Sequence, residues 1–259
     1  MDKRSRREFI RFLLAGATST ALTSLLASCG VPEAIEEATP LATPKPAPTP
    51  TPLQILRNEN PPDFYIRWYN PFPAPNPESW RLRVEGLVRN PLNLSLSDVQ
   101  GLPSLSQVSR MKCVECWSAR AKWEGFETQA LMELVEPLPE AKWLHFYCAD
   151  DYYESLPIEG LLQPRVLFVH GMNDLPLPAK HGSPLRLIFP SKYGYKGAKA
   201  IVRLEFSAQE KIGYWSEVGP YSTVGGILPG SDYPLEIGER RQIGGGEVIY
   251  PEDEEAQEE

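Results

Sequence analysis

Residues 111–126 read Met-Lys-Cys-Val-Glu-Cys-Trp-Ser-Ala-Arg-Ala-Lys-Trp-Glu-Gly-Phe, and what this stretch is decides how the rest of the chain is read. It holds two of the four cysteines, Cys113 and Cys116; the others are Cys29 and Cys148. Cys29 follows an apolar N-terminal segment and belongs to a leader, which leaves an odd number. An odd cysteine in an exported chain points to a free or metal-bound thiol. Two readings of the Cys113-x-x-Cys116 spacing stay open. One is structural zinc, with His145 and Cys148 as the second ligand pair. Strand geometry weighs against it, because in a strand over 143–148 positions 145 and 148 point to opposite faces. The other is a Cys113–Cys116 disulfide, which an oxidising compartment permits.

Outward from this stretch the pattern is one of short strands. Residues 80–84, Trp-Arg-Leu-Arg-Val, alternate polar and apolar and predict a strand, followed by a turn at Asn90-Pro91. Ser97-Asp98-Val99 predicts a short capped helix that stops before Pro103. Thr128 is placed to cap a helix through Leu131, Leu134 and Val135. Further strands are expected at 143–148, at 166–169 with a turn at Gly171, at 185–189 and at 200–206. The 27 prolines and 19 glycines among 259 residues favour loops and short strands over long helices. There is no internal repeat. The expectation is an α+β, β-rich domain of short mixed strands with a few short helices, over 56–240.

The ends of the chain read differently. Residues 5–10 are Ser-Arg-Arg-Glu-Phe-Ile, and an apolar stretch diluted by small residues follows to Leu26. This is a signal peptide over 1–28, and Arg6-Arg7 with Phe9 looks like the twin-arginine export address. Leu26-Ala27-Ser28-Cys29 resembles the lipobox of bacterial lipoproteins, which makes Cys29 the expected lipidation site and the extracytoplasmic face of the cell membrane the expected location. Residues 29–55 are rich in Pro, Thr and Ala and form an expected semi-rigid linker. The formal charge is -8, and removing the leader's local +3 leaves -8 - 3 = -11. Such acidity argues against nucleic acid as a partner. Residues 241–259 are expected to be a solvated, disordered acidic tail, with six acids in the last eight positions.

The stretch 111–126 also resembles the molybdenum-ligand segment of the sulfite-oxidase superfamily, and is closest to the branch of periplasmic protein-methionine-sulfoxide reductase catalytic subunits. In that branch the Cys of Cys-Val-Glu-x-Trp-Ser binds the metal and Trp-x-Gly-Phe follows. His181-Gly182-Ser183-Pro184-Leu185-Arg186 is similar to the family's [Asn/His]-Gly-x-Pro-x-Arg. Residues 192–199 are similar to Lys-Tyr-Gly-x-Lys-Gly-x-Lys, and 64–67, Phe-Tyr-Ile-Arg, to the Phe-Tyr-Val-Arg of sulfite-oxidase domains. The four matches fall in family order.

The resemblance implies a molybdenum–molybdopterin cofactor with a single pyranopterin, and oxygen-atom transfer. Cys113 takes the metal-ligand place, with Glu115 beside it handling protons or tuning the site. Tyr65, Arg67, Cys148, His181, Arg186, Gly197, Ala198 and Lys199 take the cofactor-binding places. The residue types suit this: a thiolate is a soft ligand for a redox metal, and Arg186 can fork onto a phosphate. The implied reaction is reduction of a small-molecule or protein-bound sulfoxide or similar S- or N-oxide. Its electrons would come from a separate partner, for which a membrane haem protein is the expected type. The alternatives are oxidation of sulfite or another small anion, and a non-catalytic cell-surface module stapled by a disulfide or zinc. Cys148 stands where the branch tends to have Thr or Ser, Cys116 replaces a small apolar residue, and Ile66 replaces a Glu.

Overall fold

The computed structural model describes residues 64–70, 74–235 and 238–245. The leader, Cys29, the linker and most of the acidic tail lie outside the described residues. The described strands form two principal sheets. The first contains β1 (Arg81–Gly86), β2 (Leu92–Ser95), β5 (Trp143–Cys148), β6 (Tyr153–Pro157) and β10 (Ile201–Ser207), in the order β2-β1-β10-β5-β6. Only the β1–β10 pair in it is parallel. The second is built on β3 (Ser104–Lys112), β4 (Ser118–Glu127) and β7 (Leu167–Met172), with β8 (Leu175–Pro176) and β9 (Arg186–Ile188) both pairing with β7. A small hairpin, β11 (Gly230–Asp232) and β12 (Arg241–Ile243), follows. The ladder of that hairpin runs past residue 240.

The helices are short, as the proline and glycine content predicts. They are α1 (Leu96–Gln100), α2 (Thr128–Val135), α3 (Ile158–Leu161) and α4 (Tyr214–Val218). α1 starts on a capping box: Ser95 accepts from the Asp98 amide, and the Asp98 carboxylate accepts from the Ser95 amide. α2 corrects an expectation. Thr128 is its first helical residue and caps nothing; Glu127 is at once the last residue of β4 and the N-cap. The strand runs straight into the helix, which puts Thr128 one position past the cap, with its hydroxyl buried and without a hydrogen-bond partner. No described helix is long and apolar enough to cross a membrane.

The expected turn at Gly171 is also corrected. β7 continues through Gly171, and the chain turns at Asn173 and Asp174, with φ of 52° and 64°. Asn and Asp tolerate this left-handed region, and two such residues make the tight hairpin between β7 and β8.

β4 and β7 form the buried middle of the second sheet and pack on both of its faces, while β3 begins exposed and β8 is exposed. Ala119, Ala121 and Trp123 of β4, with Leu167 and Val169 of β7, face one core together with Phe64 and Trp117. Phe126 and Phe168 face the other, which lies against the first sheet and includes Leu82, Val84, Phe146 and Leu204. Their rings stack at 5.3 Å between centroids. Gly125 sits where β4 shifts register against β7. A Cβ there would stand 2.0 Å from the Phe168 carbonyl oxygen, so only glycine lets the strands close.

Candidate functional site

β3 and β4 form an antiparallel pair whose last register partners are Lys112 and Ser118. The loop between them carries Cys113. Its ends are tied by the Cys113 amide donating to the Trp117 carbonyl at 2.8 Å, and Cys116 takes up the reversal with φ 63°. Cys113 is half-buried and Cys116 exposed; with Cys148 they are free thiols.

The loop borders a cavity of about 210 Å³. One wall is the N-terminal segment 64–70, laid across the site. The Tyr69 amide donates to Asp150 at 3.4 Å, Asn70 donates to the Asp150 carbonyl at 3.3 Å, and Lys199 donates to the Arg67 carbonyl. Adjoining it is the wall formed by the 3-10 turn Ala179–His181 with Arg186 and the loop 194–199, where the His181 ring lies 4.9 Å from that of Phe64. Tyr152, Tyr195, Trp215 and Tyr221 give it an aromatic side.

Seven of the nine expected cofactor-binding residues line this cavity: Tyr65, Arg67, Cys113, His181, Arg186, Gly197 and Lys199. So does Glu115. Residues separated by more than 130 positions thus share one chamber. Cys148 and Ala198 stand apart from it. Both are buried in the core against the first sheet, Cys148 paired with Ile201 across β5 and β10. Cys148 follows Leu144 and Phe146 on the inward face of β5, while Ala198 lies in the irregular segment after the turn Gly194–Lys196, where its carbonyl accepts from the Leu187 amide at 2.8 Å. The zinc arrangement is also absent from the geometry. His145 meets the Gln209 carbonyl at 2.9 Å, and no group of three or more His, Cys, Asp or Glu among the described residues could hold a metal.

The chemistry of the lining is that of an anion site with polar edges to satisfy. Arg67, Lys180, Arg186 and Lys199 outnumber Glu115 and Asp150, in a protein that is acidic overall. Arg186 is buried; its Nη1 donates to the His181 carbonyl at 2.9 Å and its Nη2 meets the Met111 sulfur at 3.4 Å. Its Nε has no partner. The guanidinium lies 5.1 Å from the Trp123 ring centre, and burial lowers its pKa to about 10. His181 Nε2 is likewise buried without a partner. Burial, then the charges of Arg186, Lys180 and Lys199, push His181 down to about 3, so the ring is neutral. Burial and Arg186 push Lys199 down to about 7. An unpaired buried donor is costly, so this set is built for an acceptor-rich group.

At Cys113, the expected metal ligand, Sγ lies 3.8 Å from Glu115 Oε2. The same oxygen accepts from Trp117 Nε1 at 3.3 Å and pairs with Arg67 Nη2 at 3.2 Å. Burial raises the Cys113 thiol above its usual range. A bound cation reverses that and deprotonates a coordinating thiol. Gly182 serves the packing: at φ 105°, a Cβ on it would stand 2.8 Å from the Lys199 Cβ. Asp150, Lys180, Trp215 and Tyr221 were not singled out by the sequence; isolated polar and aromatic residues in loops carry no pattern that separates them from surface.

The family described as the oxidoreductase molybdopterin binding domain matches residues 69–215, more than half the chain. The protein-methionine-sulfoxide reductase catalytic subunit MsrP of Campylobacter jejuni is 30% identical over 178 residues, 61% of this chain and 60% of that protein. The putative protein-methionine-sulfoxide reductase subunit YedZ1 of Azospira oryzae is 38% identical over 148 residues, 57% of this chain and 56% of that protein. MsrP of Ralstonia nicotianae is 32% identical over 176 residues, covering 61% and 53%. The chain therefore spans somewhat over half the length of these curated relatives. Among solved structures, the sulfane dehydrogenase SoxCD from Paracoccus pantotrophus matches with a TM-score of 0.52 at 20% identity, over 66% of this chain and 46% of that one. That likeness concerns the fold alone.

Proposed function

The chain belongs to the oxidoreductase molybdopterin binding domain family, and from that premise we propose that it is a molybdenum enzyme that reduces a sulfoxide, with methionine sulfoxide in peptide linkage the leading substrate class. The observation that carries the reading is the cationic cavity that meets the Cys113 thiol on one side and the unpartnered His181 and Arg186 nitrogens on the other. The named activity of the MsrP relatives supports the substrate class.

In this reading Cys113 ligates molybdenum. Arg186 and Lys199 hold the phosphate and the pterin edges, and Gly197 lets backbone approach them closely. His181, neutral, offers a ring nitrogen as a hydrogen-bond partner without adding charge. Cys148 and Ala198 contribute through the core that supports this wall. The bound cofactor supplies the two-electron redox centre. The net change is cleavage of the sulfoxide S–O bond with two electrons and two protons, giving thioether and water. Glu115, 3.8 Å from the thiol, is the group placed to hold or pass a proton at the site. Arg67 and Trp117 fix its carboxylate. The aromatic side of the cavity suits a thioether, since sulfur packs favourably against ring edges.

Export by the twin-arginine route, a lipid on Cys29, and electrons delivered by a membrane redox partner complete the proposal. They rest on the sequence of 1–55 and on the term "catalytic subunit" borne by the relatives. The test is metal and pterin content of the purified chain, followed by reoxidation of the dye-reduced enzyme with a substrate panel. Molybdenum at one per chain, lost in Cys113→Ala, with reoxidation by sulfoxides is expected. Stoichiometric zinc without molybdenum refutes the cofactor, and reduction of the metal by sulfite with no response to sulfoxides refutes the direction.

A further inference from the structure

Asp232 lies beyond residue 215, where the family match ends, and its side chain is fully buried. It sits under the loop that carries Cys113. Arg110 Nη1 reaches its Oδ2 at 2.6 Å, Lys112 Nζ reaches Oδ1 at 2.8 Å, and Ser118 Oγ donates to Oδ2 at 3.0 Å. The Tyr233 amide donates to Oδ1 at 2.9 Å.

The donors are placed by register. Arg110 and Lys112 are two apart on β3, so they share a face, and Ser118 is the cross-strand partner of Lys112. Lys112 directly precedes Cys113, and Ser118 directly follows Trp117, which closes the loop. One carboxylate therefore holds both stems of the loop. The backbone repeats the tie: the Ser118 amide donates to the Tyr233 carbonyl at 3.2 Å, and the Leu235 amide to the Ser118 carbonyl at 2.8 Å. Lys112 also bridges to Tyr193, at the start of the turn leading to Lys199.

We propose that Asp232 is a positioning residue for Cys113: it clamps both ends of the 113–117 loop and so sets where the thiolate stands relative to the His181–Arg186–Lys199 wall. This rests on Cys113 being the metal ligand only for its consequence in catalysis; the clamp itself is a property of the polypeptide. A loop held by charge-assisted bonds in a buried site opens rarely.

The test uses Asp232→Asn in the full chain. The amide keeps an acceptor for Ser118 but turns an N–H toward a cation. Two readouts are taken. In cofactor-free protein, the alkylation rate of Cys113 is measured by mass spectrometry in variant and wild type, with a small free thiol in the mixture as the reference. In cofactor-loaded protein, the paramagnetic resonance spectrum of the half-reduced metal is recorded. The expected result is Cys113 labelling faster than in wild type, relative to the reference thiol, on the order of tenfold, with a shifted or broadened metal spectrum. An unchanged labelling ratio with an unchanged spectrum, in folded protein, overturns the proposal. Where Asp232→Asn does not fold, Ser118→Ala decides. It removes one bond and strands no charge, and the same two shifts, smaller, are required; their absence overturns the proposal. The labelling arm reads the clamp even if wild-type protein carries no molybdenum, so the two readings fail separately.

Discussion

Replacing Lys199 with Met should remove a pH dependence from the stability of the cofactor-free protein. In the folded chain the Lys199 ammonium is desolvated and faces Arg186, which lowers it from 10.5 to about 7; Asp150 offsets this only in part. Its Nζ lies 3.8 Å from the Trp68 ring centre and donates to the Arg67 carbonyl. The unfolded chain has the ordinary lysine value, so between pH 7 and 10.5 it binds one more proton than the folded chain. Stability therefore rises with pH across that window, and the full cost of the buried charge falls below pH 7. From pH 7 to pH 9 the gain is about 2 kcal/mol at most. The side chain keeps some solvent contact, which brings the expected gain to ~1–2 kcal/mol. Urea unfolding followed by tryptophan fluorescence at pH 7, 8 and 9 gives this as a difference between wild type and Lys199→Met, in which the other titrating groups largely cancel. The variant should be the more stable at pH 7, and the two should converge toward pH 9. An anionic ligand that pairs with Lys199 should flatten the wild-type slope. Parallel pH profiles for the two proteins would show that Lys199 carries an ordinary pKa, and the argument for an anion-seeking wall would lose its strongest element.

Arg186→Lys should leave the fold intact and lower pterin retention on the order of 30- to 100-fold, because a point ammonium cannot fork between a phosphate and the His181 carbonyl; pterin fluorescence after oxidative release measures it. Gly125→Ala should cost ~3 kcal/mol or more and lower the melting temperature by roughly 10 °C, since the new methyl would meet the Phe168 backbone at 2.0 Å. Melting within a degree or two of wild type would mean that β4 and β7 separate easily. Glu154→Gln should cost ~3 kcal/mol, because it leaves the buried Lys196 ammonium, 2.9 Å away, without its carboxylate. Adding Lys196→Met should recover much of that loss in chemical denaturation.

Much of the first sheet was legible because its strands alternate: Leu82 and Val84 point inward between Arg81, Arg83 and Glu85. The strands on either side of Cys113 were not: β3 mixes Ser, Gln and Arg, and in β4 the alternation of Ser118, Arg120, Lys122 and Glu124 with Ala119, Ala121 and Trp123 rests on two small alanines that give a weak apolar signal. The hairpin at Asn173-Asp174 was misplaced to Gly171 because both residue types allow a reversal. Only the pairing of β7 with β4 selects between them.

The linear order of residues already carries the residue types gathered at the cavity: a thiol with an acid two places on, then His181, Arg186 and Lys199 in two glycine-bearing motifs. Local motifs carry such information because each rests on the chemistry of a few adjacent side chains. Which of them meet is settled by the folding of the two sheets. It turned Cys148 and Ala198 into core, and brought Tyr65 and Arg67 across the chamber by ties to Asp150 and Lys199. It also placed Asp232 under both stems of the Cys113 loop. These outcomes depend on strand register and on contacts between residues far apart in the chain. No local pattern encodes them, because a shift of one residue in a ladder exchanges every inward side chain for its outward neighbour.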